Sequence, residues 1–357
     1  MDLLLIVELL GEGWTLVLGG ALIGALFGAF AQQTNFCLRA AAIEFSRGTI
    51  GGRTAIWLLV FTAAVLGTQL LSYAGALPTN ETRQIASPQS LSGALLGGLM
   101  FGTGMVLARG CSSRLLVLSA TGNLRALLSG LVFAVVAQAS LKGFLSPVRD
   151  AAAAYSTTSL IGGNDLLTLA SLDTITAVIL CMSATAIAVG IAAYRQVGFW
   201  KTMAALLVGA TVPIAWLFTS TMSGLSFEPV KLEAITFTGP SADTLMLFLN
   251  PPSAAMEFGI GLVPGVFLGS FVAAALTHQL KLQGFESGEA MKRYLSGAAL
   301  MGFGGMLAGG CAVGAGVTGA SVFAITAWIT LFAIWFSAGL TDFVVDRRGQ
   351  SVVASQT

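Results

Sequence analysis

Nine long apolar stretches constrain this 357-residue chain more than any other feature of its sequence. Most of them reach the length of about 17–25 residues that a helix needs to cross a bilayer. The sequence therefore predicts an all-α polytopic membrane protein, a single integral membrane domain over residues 1–357. We place the membrane helices at residues 14–36, 55–77, 91–108, 124–145, 174–194, 202–219, 256–276, 295–308 and 317–340.

Composition supports the lipid bilayer as the environment and excludes several classes of protein. Hydrophobic residues make up 55% of the chain, charged residues only 9%, and the mean hydropathy is +0.86, whereas about a quarter of the residues in a soluble domain are charged. A net charge of +1 argues against nucleic-acid binding, and a single histidine argues against a metal centre. We expect no bound cofactor and no metal.

Basic residues predict the orientation, because cytoplasmic loops are enriched in Lys and Arg. Arginines and lysines concentrate in segments 39–54, 195–201, 277–293 and at 347–348, which we assign to the cytoplasm. The N-terminus and segments 78–90, 146–165 and 220–255 then face outward, and the C-terminus is cytoplasmic. We read residues 220–255 as an external loop with one short surface helix around 242–249. No basic residue precedes Arg39, so the first helix is not a cleaved signal peptide.

Two glycine-rich runs that end in cysteine predict an internal duplication. A shift of 200 residues superimposes much of residues 102–111, including Gly110 and Cys111, on residues 302–311, including Gly310 and Cys311. A shift of 241 aligns glycines 20, 24 and 28 with glycines 261, 265 and 269, and sets His278 opposite Cys37. The predicted repeats are roughly 14–145 and 256–341, running parallel, with intervening helices at 174–219. The helices before Cys111 and Cys311 are short, so we expect them to break within the membrane.

The cysteines that end these segments are the strongest candidates for functional residues. A free membrane cysteine is often only a small packing residue, and we take Cys181 as such, but duplication at Cys111 and Cys311 favours a function. Cys37 is the last residue of a polar stretch that contains Asn35. Burying these polar groups in an apolar environment costs free energy unless they line a cavity or are hydrogen-bonded within the protein. Two arginines beside Cys111 either attract an anion or extend to the membrane surface; they are Arg109 and Arg114.

A buried thiol stays neutral, because burial disfavours the thiolate, and neutral thiols are weak hydrogen-bond donors. A row of weak donors can replace the hydration of a passing anion without trapping it. Helices that begin after each Gly-Cys break would add partial positive charge. The residues themselves lead only to a small, soft anion.

At these motifs the chain resembles the YeeE/YedE family of bacterial inner-membrane transporters, which is proposed to import thiosulfate. The matching segments are 35–37, 102–111, 261–276 and 301–311. The resemblance implies nine membrane helices with short helices at a central constriction. It also implies that three cysteines pass the ion inward through S–H···S contacts, at the positions of Cys37, Cys111 and Cys311. A small TusA-like sulfur-carrier protein on the cytoplasmic side is the implied partner, and some relatives are linked to selenium compounds.

Two other functions compete with uptake. A membrane sulfurtransferase-like enzyme would use Cys111 or Cys311 as a nucleophile that forms a persulfide, but such a thiolate needs a base or cationic setting, and Arg109 supplies only charge. A structural subunit of a larger complex would leave the duplicated cysteines without purpose. The sequence thus favours a transporter over an enzyme.

Overall fold

A computed structural model describes residues 3–226, 229–247, 256–285 and 287–347. Within these ranges nine helical spans are long and apolar enough to cross a membrane, and there is no β-strand. The predicted number of spans and the all-α class are confirmed. We number the spans α1 Glu12–Ser46, α2 Gly52–Tyr73, α3 Leu91–Ala120, α4 Leu124–Lys142, α5 Thr174–Tyr194, α6 Phe199–Leu225, α7 Phe258–Leu276, α8 Gly288–Ser321 and α9 Ile325–Asp346.

Three of these spans are interrupted. Span α1 divides into α1a (Glu12–Thr34) and α1b (Leu38–Ser46), and α3 divides into α3a (Leu91–Leu107) and α3b (Ser112–Ala120). Span α8 consists of α8a (Gly288–Leu307), a π-helical segment α8b (Ala312–Thr318) and a last turn at Gly319–Ser321. The breaks predicted near Cys111 and Cys311 are therefore present, and α1 has a third break at Cys37.

Some boundaries differ from the prediction. Helix α8a begins within the predicted 277–293 loop, where the Ser287 hydroxyl accepts a hydrogen bond from the Ala290 amide at 3.4 Å, so it is a full-length helix. Predicted run 317–340 contains the end of α8 and most of α9, which ends in a π-helical turn at Asp342–Arg347. Further short helices are Leu3–Leu10, Thr79–Glu81, Arg83–Ala86, Ser146–Ala154, Thr158–Ile161, Leu166–Leu169 and Thr238–Leu247.

The segment after α6 differs most from its prediction as a surface loop. Leu232, Ile235 and Phe237 are buried in the core, and the helix Thr238–Leu247 packs against α4, α7 and α8a. The Ile235 carbonyl accepts a hydrogen bond from the Thr318 hydroxyl at 2.7 Å, which joins the segment to α8b. Its apolar residues are too few to span a bilayer, so hydropathy alone did not indicate that they fill space beside the α8 break. The end of the predicted 242–249 helix lies outside the described residues.

Glycines bring α1a and α7 together backbone to backbone. A Cβ added at Gly24 would strike the Leu262 carbonyl oxygen, and one added at Gly265 would lie 2.7 Å from the Ala21 Cα. The other four ladder glycines meet the facing backbone in the same way; they are Gly20, Gly28, Gly261 and Gly269. Because lipid provides no hydrophobic force between helices, such close van der Waals packing is a main source of their association.

The two Gly-Cys helices also pack closely, but in opposite directions. Gly97 of α3a faces Ala308 at the end of α8a, whereas Ala108 at the end of α3a faces Gly297. Helices α1a and α7 instead run in the same direction. One rotation therefore does not relate both pairs, contrary to the expectation of parallel halves, and the two-fold repeat stays a prediction.

Ion pairs join the helix ends on the side predicted to be cytoplasmic. Arg47 binds the buried carboxylate of Asp342 through two hydrogen bonds, at 3.0 and 2.7 Å. Asp346 accepts from Arg293 at 2.7 Å and lies 3.5 Å from an Arg39 nitrogen. These contacts fix α1b, the start of α8a and the end of α9 relative to one another.

A matched pair of glycine substitutions tests the α1a–α7 contact. We expect Gly265→Ala to destabilise the fold by about 1–3 kcal/mol or more, because a methyl group cannot fit against backbone atoms. Gly190→Ala on α5 has open space around the new methyl group and should leave the thermal midpoint unchanged or raise it slightly. Thermal unfolding in detergent measures both, and equal midpoints would contradict this packing.

Candidate functional site

The three breaks share one backbone turn. A residue in the left-handed region ends each preceding helix: Asn35 at φ 54°, Arg109 at φ 55° and Gly309 at φ 78°. The next amide bonds back into the helix in every case, from Phe36 to the Ala31 carbonyl at 3.2 Å, Gly110 to Met105 at 3.0 Å and Gly310 to Gly305 at 2.8 Å. This is the Schellman arrangement, which satisfies carbonyl groups that would otherwise be orphaned.

Glycine adopts the left-handed conformation without a Cβ penalty, whereas an L-residue pays of order 1 kcal/mol. Asn35 tolerates it through its short polar side chain, but Arg109 has no such relief. His278 after α7 occupies the same position, with φ 54°, and the Gln279 amide bonds to Ala274 at 2.8 Å. His278 therefore corresponds to Asn35, two residues before the Cys37 position that the shift of 241 gave it.

Each turn places a cysteine at the N-cap of the following helical segment. Cys37, Cys111 and Cys311 all have extended backbone, and their carbonyls accept the first bond of α1b, α3b and α8b. The thiol of Cys311 accepts a hydrogen bond from the Gly314 amide at 3.3 Å. The thiols of Cys37 and Cys111 make no such capping hydrogen bond. Helical segments after the breaks were predicted, but this shared capping role was not.

The thiols form one close pair and one separate site. The side chains of Cys37 and Cys111 interact with each other, and Cys111 also lies 3.4 Å from the Ser113 hydroxyl. Cys111 and Cys311 are 1% and 0% exposed, whereas Cys37 is partly exposed. Because α3a and α8a run in opposite directions, the breaks at Cys111 and Cys311 are separated by about 16 Å of helix rise.

Arginines surround the Cys37–Cys111 pair. Arg114 donates a hydrogen bond to the Asn35 side-chain oxygen at 2.8 Å, so two predicted site residues are in contact. The charges of Arg114 and Arg39 both act on Cys37. Arg109 lies over the ring of Tyr294 at 5.7 Å. The arginines are held in place rather than extended freely to a membrane surface.

One buried arginine near the site was not predicted from the sequence. Arg125, inside predicted helix 124–145, is 9% exposed, donates to the Ala108 carbonyl at 2.9 Å, and lies 4.8 Å from the Tyr294 ring. It therefore supports the end of α3a directly before the break. An arginine within an apolar run was the available signal, since intramembrane charge is rare and usually functional.

A large cavity opens on the side predicted to be external and ends at the α8 break. Its volume is about 1380 Å³, and Met306, Gly309, Gly310 and Gly314 are among the residues that line it. Arg83 reaches the break and donates to the Gly309 carbonyl at 3.0 Å. Four acidic and four basic described side chains line this cavity: Glu81, Glu233, Asp243 and Glu257, and Arg83, Lys142, Arg149 and Lys231.

Three aromatic rings in contact connect the α8 break with the residue next to Cys37. Phe237 lies between Thr236, which contacts Gly314, and Thr238, which contacts Gly305. Its ring is 5.4 Å from that of Phe27, which is 6.4 Å from that of Phe36, the neighbour of Cys37. All three rings are at most 3% exposed. We call Phe237, Phe27 and Phe36 the aromatic septum.

Cys181 lies apart from these features, buried on α5. Among the described residues, no group of three or more His, Cys, Asp or Glu side chains is arranged to hold a metal ion. The candidate site thus consists of three thiols, arginines, glycine-rich turns and aromatic rings.

Substitution of the two break glycines should give unequal results. A Cβ at Gly310 would lie 2.7 Å from the Ala315 backbone nitrogen, whereas one at Gly110 would lie 3.2 Å from a Leu115 methyl group that can move. We expect Gly310→Leu to lower stability by about 1–3 kcal/mol or more and Gly110→Leu by less. Thermal unfolding in detergent compares them, and equal losses would contradict the tighter turn at Cys311.

Comparison with known proteins identifies the family of this chain. The chain is 24% identical to the thiosulfate transporter TsuA of Escherichia coli (strain K12), over 96% of this chain and 99% of the relative. It is 29% identical to the thiosulfate transporter TsuA of Spirochaeta thermophila, over 91% of this chain and 96% of the relative. The family model described as sulphur transport matches residues 33–340. The protein therefore belongs to the sulphur transport family, as a multi-pass membrane member.

Proposed function

We propose that this protein imports thiosulfate across the bacterial inner membrane, along a central pathway that passes Cys311 and then the Cys37–Cys111 pair. The names of the two relatives support the substrate. One observation carries the pathway: an external cavity ends at the break before Cys311, and the other two thiols lie beyond a septum on the opposite side. Helices with breaks at matched positions are typical of transport sites near the bilayer midplane.

Entry begins in the external cavity. Its acidic and basic side chains balance, so it neither repels nor strongly traps a dianion. Arg83 places its guanidinium at the Gly309 carbonyl, directly before Gly310 and Cys311. An incoming anion meets this charge at the floor of the cavity, and the ion is thereby brought to the first thiol.

Thiols suit the passage of thiosulfate because they bind weakly. An S–H group is a poor donor, so each contact replaces part of the hydration shell without holding the ion. Each thiol also stands at the start of a helical segment, where backbone N–H groups give partial positive charge. The ion thus meets a weak S–H donor and the partial positive charge of a helix N-terminus at each break.

The separation of the thiol sites divides the passage into steps. About 16 Å of helix rise lies between the two breaks, so the ion leaves Cys311 before it reaches Cys111. The aromatic septum lies on this route, and its rings must move to let the ion pass. Phe237 belongs to the segment that joins α8b through the Thr318–Ile235 hydrogen bond, so movement at the α8 break would reach the septum.

The exit lies on the side that carries the helix-end ion pairs, which we take as cytoplasmic. Arg47 is bound by Asp342 and Arg39 is mostly enclosed, 3.5 Å from Asp346, whereas Arg53 is exposed. We include in the proposal a small TusA-like sulfur carrier that receives the ion or its sulfur at this surface. Arg53 is the better candidate for contact with it.

A transporter is favoured over the enzyme alternative. A persulfide-forming cysteine needs a base or a cationic setting. The one histidine of the chain, His278, ends α7 on the exposed surface, and the arginines beside the Cys37–Cys111 pair supply charge but cannot accept a proton. Uptake of radiolabelled thiosulfate into proteoliposomes, with and without a carrier protein, tests the proposal. Uptake above empty liposomes supports it, and failure under both conditions refutes it.

Cysteine substitutions test the relay. We expect Cys111→Ala and Cys311→Ala each to fall below about a tenth of wild-type uptake, since loss of a contact worth about 1.4 kcal/mol slows a step tenfold. Cys181→Ala is the matched control and should transport normally, because its side chain is remote from the pathway. Thermal unfolding checks that all three variants fold.

Two outcomes would contradict the relay. Full uptake by the Cys111→Ala protein would remove this thiol from the pathway. A stable one-sulfur adduct on Cys111 or Cys311 after exposure to thiosulfate, found by intact-protein mass spectrometry without reductant, would instead indicate the persulfide enzyme.

External pH should change uptake through Glu233. Burial, reinforced by the negative charge of Glu257 and opposed by Lys231 and Arg83, raises the pKa of Glu233 to about 7. Asp243 also faces it, and burial together with Glu257 raises the pKa of that carboxyl. Below pH 7 Glu233 becomes mostly protonated, so the cavity loses one negative charge and attracts the dianion more strongly.

We expect uptake to rise about two- to fivefold from pH 8 to pH 6. This range is the effect of removing one negative charge about 8 Å from a dianion, with and without screening by salt. Glu233→Gln mimics the protonated form and should give the higher rate with a much weaker pH dependence. Initial rates in proteoliposomes with buffered interiors measure this. An unchanged pH profile in the variant would exclude Glu233 as the cause.

A further inference from the structure

We propose that Arg114 and Arg39 form an oxyanion subsite beside the Cys37–Cys111 pair, which binds the sulfonate end of thiosulfate while the terminal sulfur faces the thiols. This inference rests on the proposed function and deepens it, since it assigns the orientation of the substrate at the inner site. It is carried by buried polar groups that have no partner within the protein.

Arg114 presents an enclosed and unused hydrogen-bond donor. Its Nη2 donates to the Asn35 side-chain oxygen at 2.8 Å, which fixes the plane of the guanidinium. Its Nη1 is shielded from solvent and bonds to nothing. The charge of this guanidinium acts on both Cys37 and Cys111. A buried donor without an acceptor is costly, so this atom is suited to an anion that arrives at the thiols.

Arg39 approaches the same thiol pair from α1b. It follows Cys37 by two residues, its charge acts on Cys37, and its Nε is enclosed without a partner. Its contact with Asp346 is long, at 3.5 Å, whereas Arg293 lies 2.7 Å from the other oxygen of that carboxylate. Asp346 is therefore bound mainly by Arg293, and Arg39 keeps donors for an anion.

A third unpartnered group stands next to Cys111. Ser112, the first residue of α3b, is 6% exposed, and its hydroxyl has no hydrogen-bond partner. Two guanidinium groups and a hydroxyl thus adjoin two thiols. Arginine donors match oxyanions geometrically, whereas thiols are soft groups.

Thiosulfate has the same division, with three charged oxygens at one end and a soft sulfur at the other. The subsite accordingly holds the ion in one orientation. Sulfate offers the oxygens without the soft sulfur, so it should bind here more weakly than thiosulfate while depending on the same arginines.

Protection of Cys37 from alkylation measures ligand binding at the Cys37–Cys111 pair, because Cys37 is partly exposed and can react with a thiol reagent. Detergent-solubilised full-length protein is treated with N-ethylmaleimide across a series of thiosulfate concentrations, and the modified Cys37 peptide is quantified by mass spectrometry. We expect the half-protecting concentration to rise at least tenfold in Arg114→Met and less in Arg114→Lys, which keeps the charge but loses the planar fork. A parallel sulfate series should show the same order of variants.

Arg195→Met is the matched control, since Arg195 is exposed at the turn between α5 and α6 and stacks on Tyr194. Thiosulfate should protect Cys37 in this variant at the same concentration as in the wild type. Asn35→Ala removes the partner of Nη2 but leaves Nη1, so its shift should be smaller than that of Arg114→Met. Thermal unfolding checks each fold, and if Arg114→Met does not fold, the Arg114→Lys shift decides.

Two failures are distinguishable. If wild-type proteoliposomes take up thiosulfate but the arginine variants protect Cys37 at the wild-type concentration, the subsite is wrong and the proposed function stands. If the wild type takes up no thiosulfate, the proposed function fails. In that case arginine-dependent protection by sulfate still supports an oxyanion subsite, and its absence overturns it.

Discussion

Interruption of helical hydrogen bonding inside a membrane is the constraint on which this structure depends. Each break frees backbone groups that lipid cannot satisfy. At Asn35, Arg109 and Gly309 a left-handed residue turns the chain so that the next amide bonds back into the helix. The following cysteine then caps a new helical segment. The breaks are stable only because surrounding helices cover them, so glycine-mediated packing and the interrupted helices depend on each other.

The same constraint explains where chemistry can occur. A helix break places a side chain and several N–H groups at one point in an apolar surrounding, and three cysteines occupy such points. The large cavity reaches one break, and arginines lie beside the other two. Antiparallel packing of α3a against α8a sets the two levels about 16 Å apart. The aromatic septum lies between the α8 break and the Cys37–Cys111 pair.

Much of this could be predicted from residue pattern alone. Nine spans, breaks at Cys111 and Cys311, and helical segments after them follow from apolar run length and glycine spacing. The start of α8a could not be predicted by hydropathy, because its first two turns carry Glu289, Lys292 and Arg293. The burial of segment 232–238 could not be predicted either. A short apolar stretch is buried only because it packs beside the α8 break, and this is a tertiary contact. Arg125 was overlooked within an otherwise apolar helix.

The sequence by itself determined the class of protein, because long apolar segments with few charged residues are stable only in a lipid bilayer. It also indicated two of the three helix breaks, those at Cys111 and Cys311, because glycine and a following N-cap residue are local features. Only the tertiary structure decided which breaks meet. The Cys37–Cys111 pairing, the contact of Arg114 with Asn35 and the directions of the paired helices depend on contacts between residues far apart in the chain. No local pattern records those contacts, because they arise from the packing of whole helices.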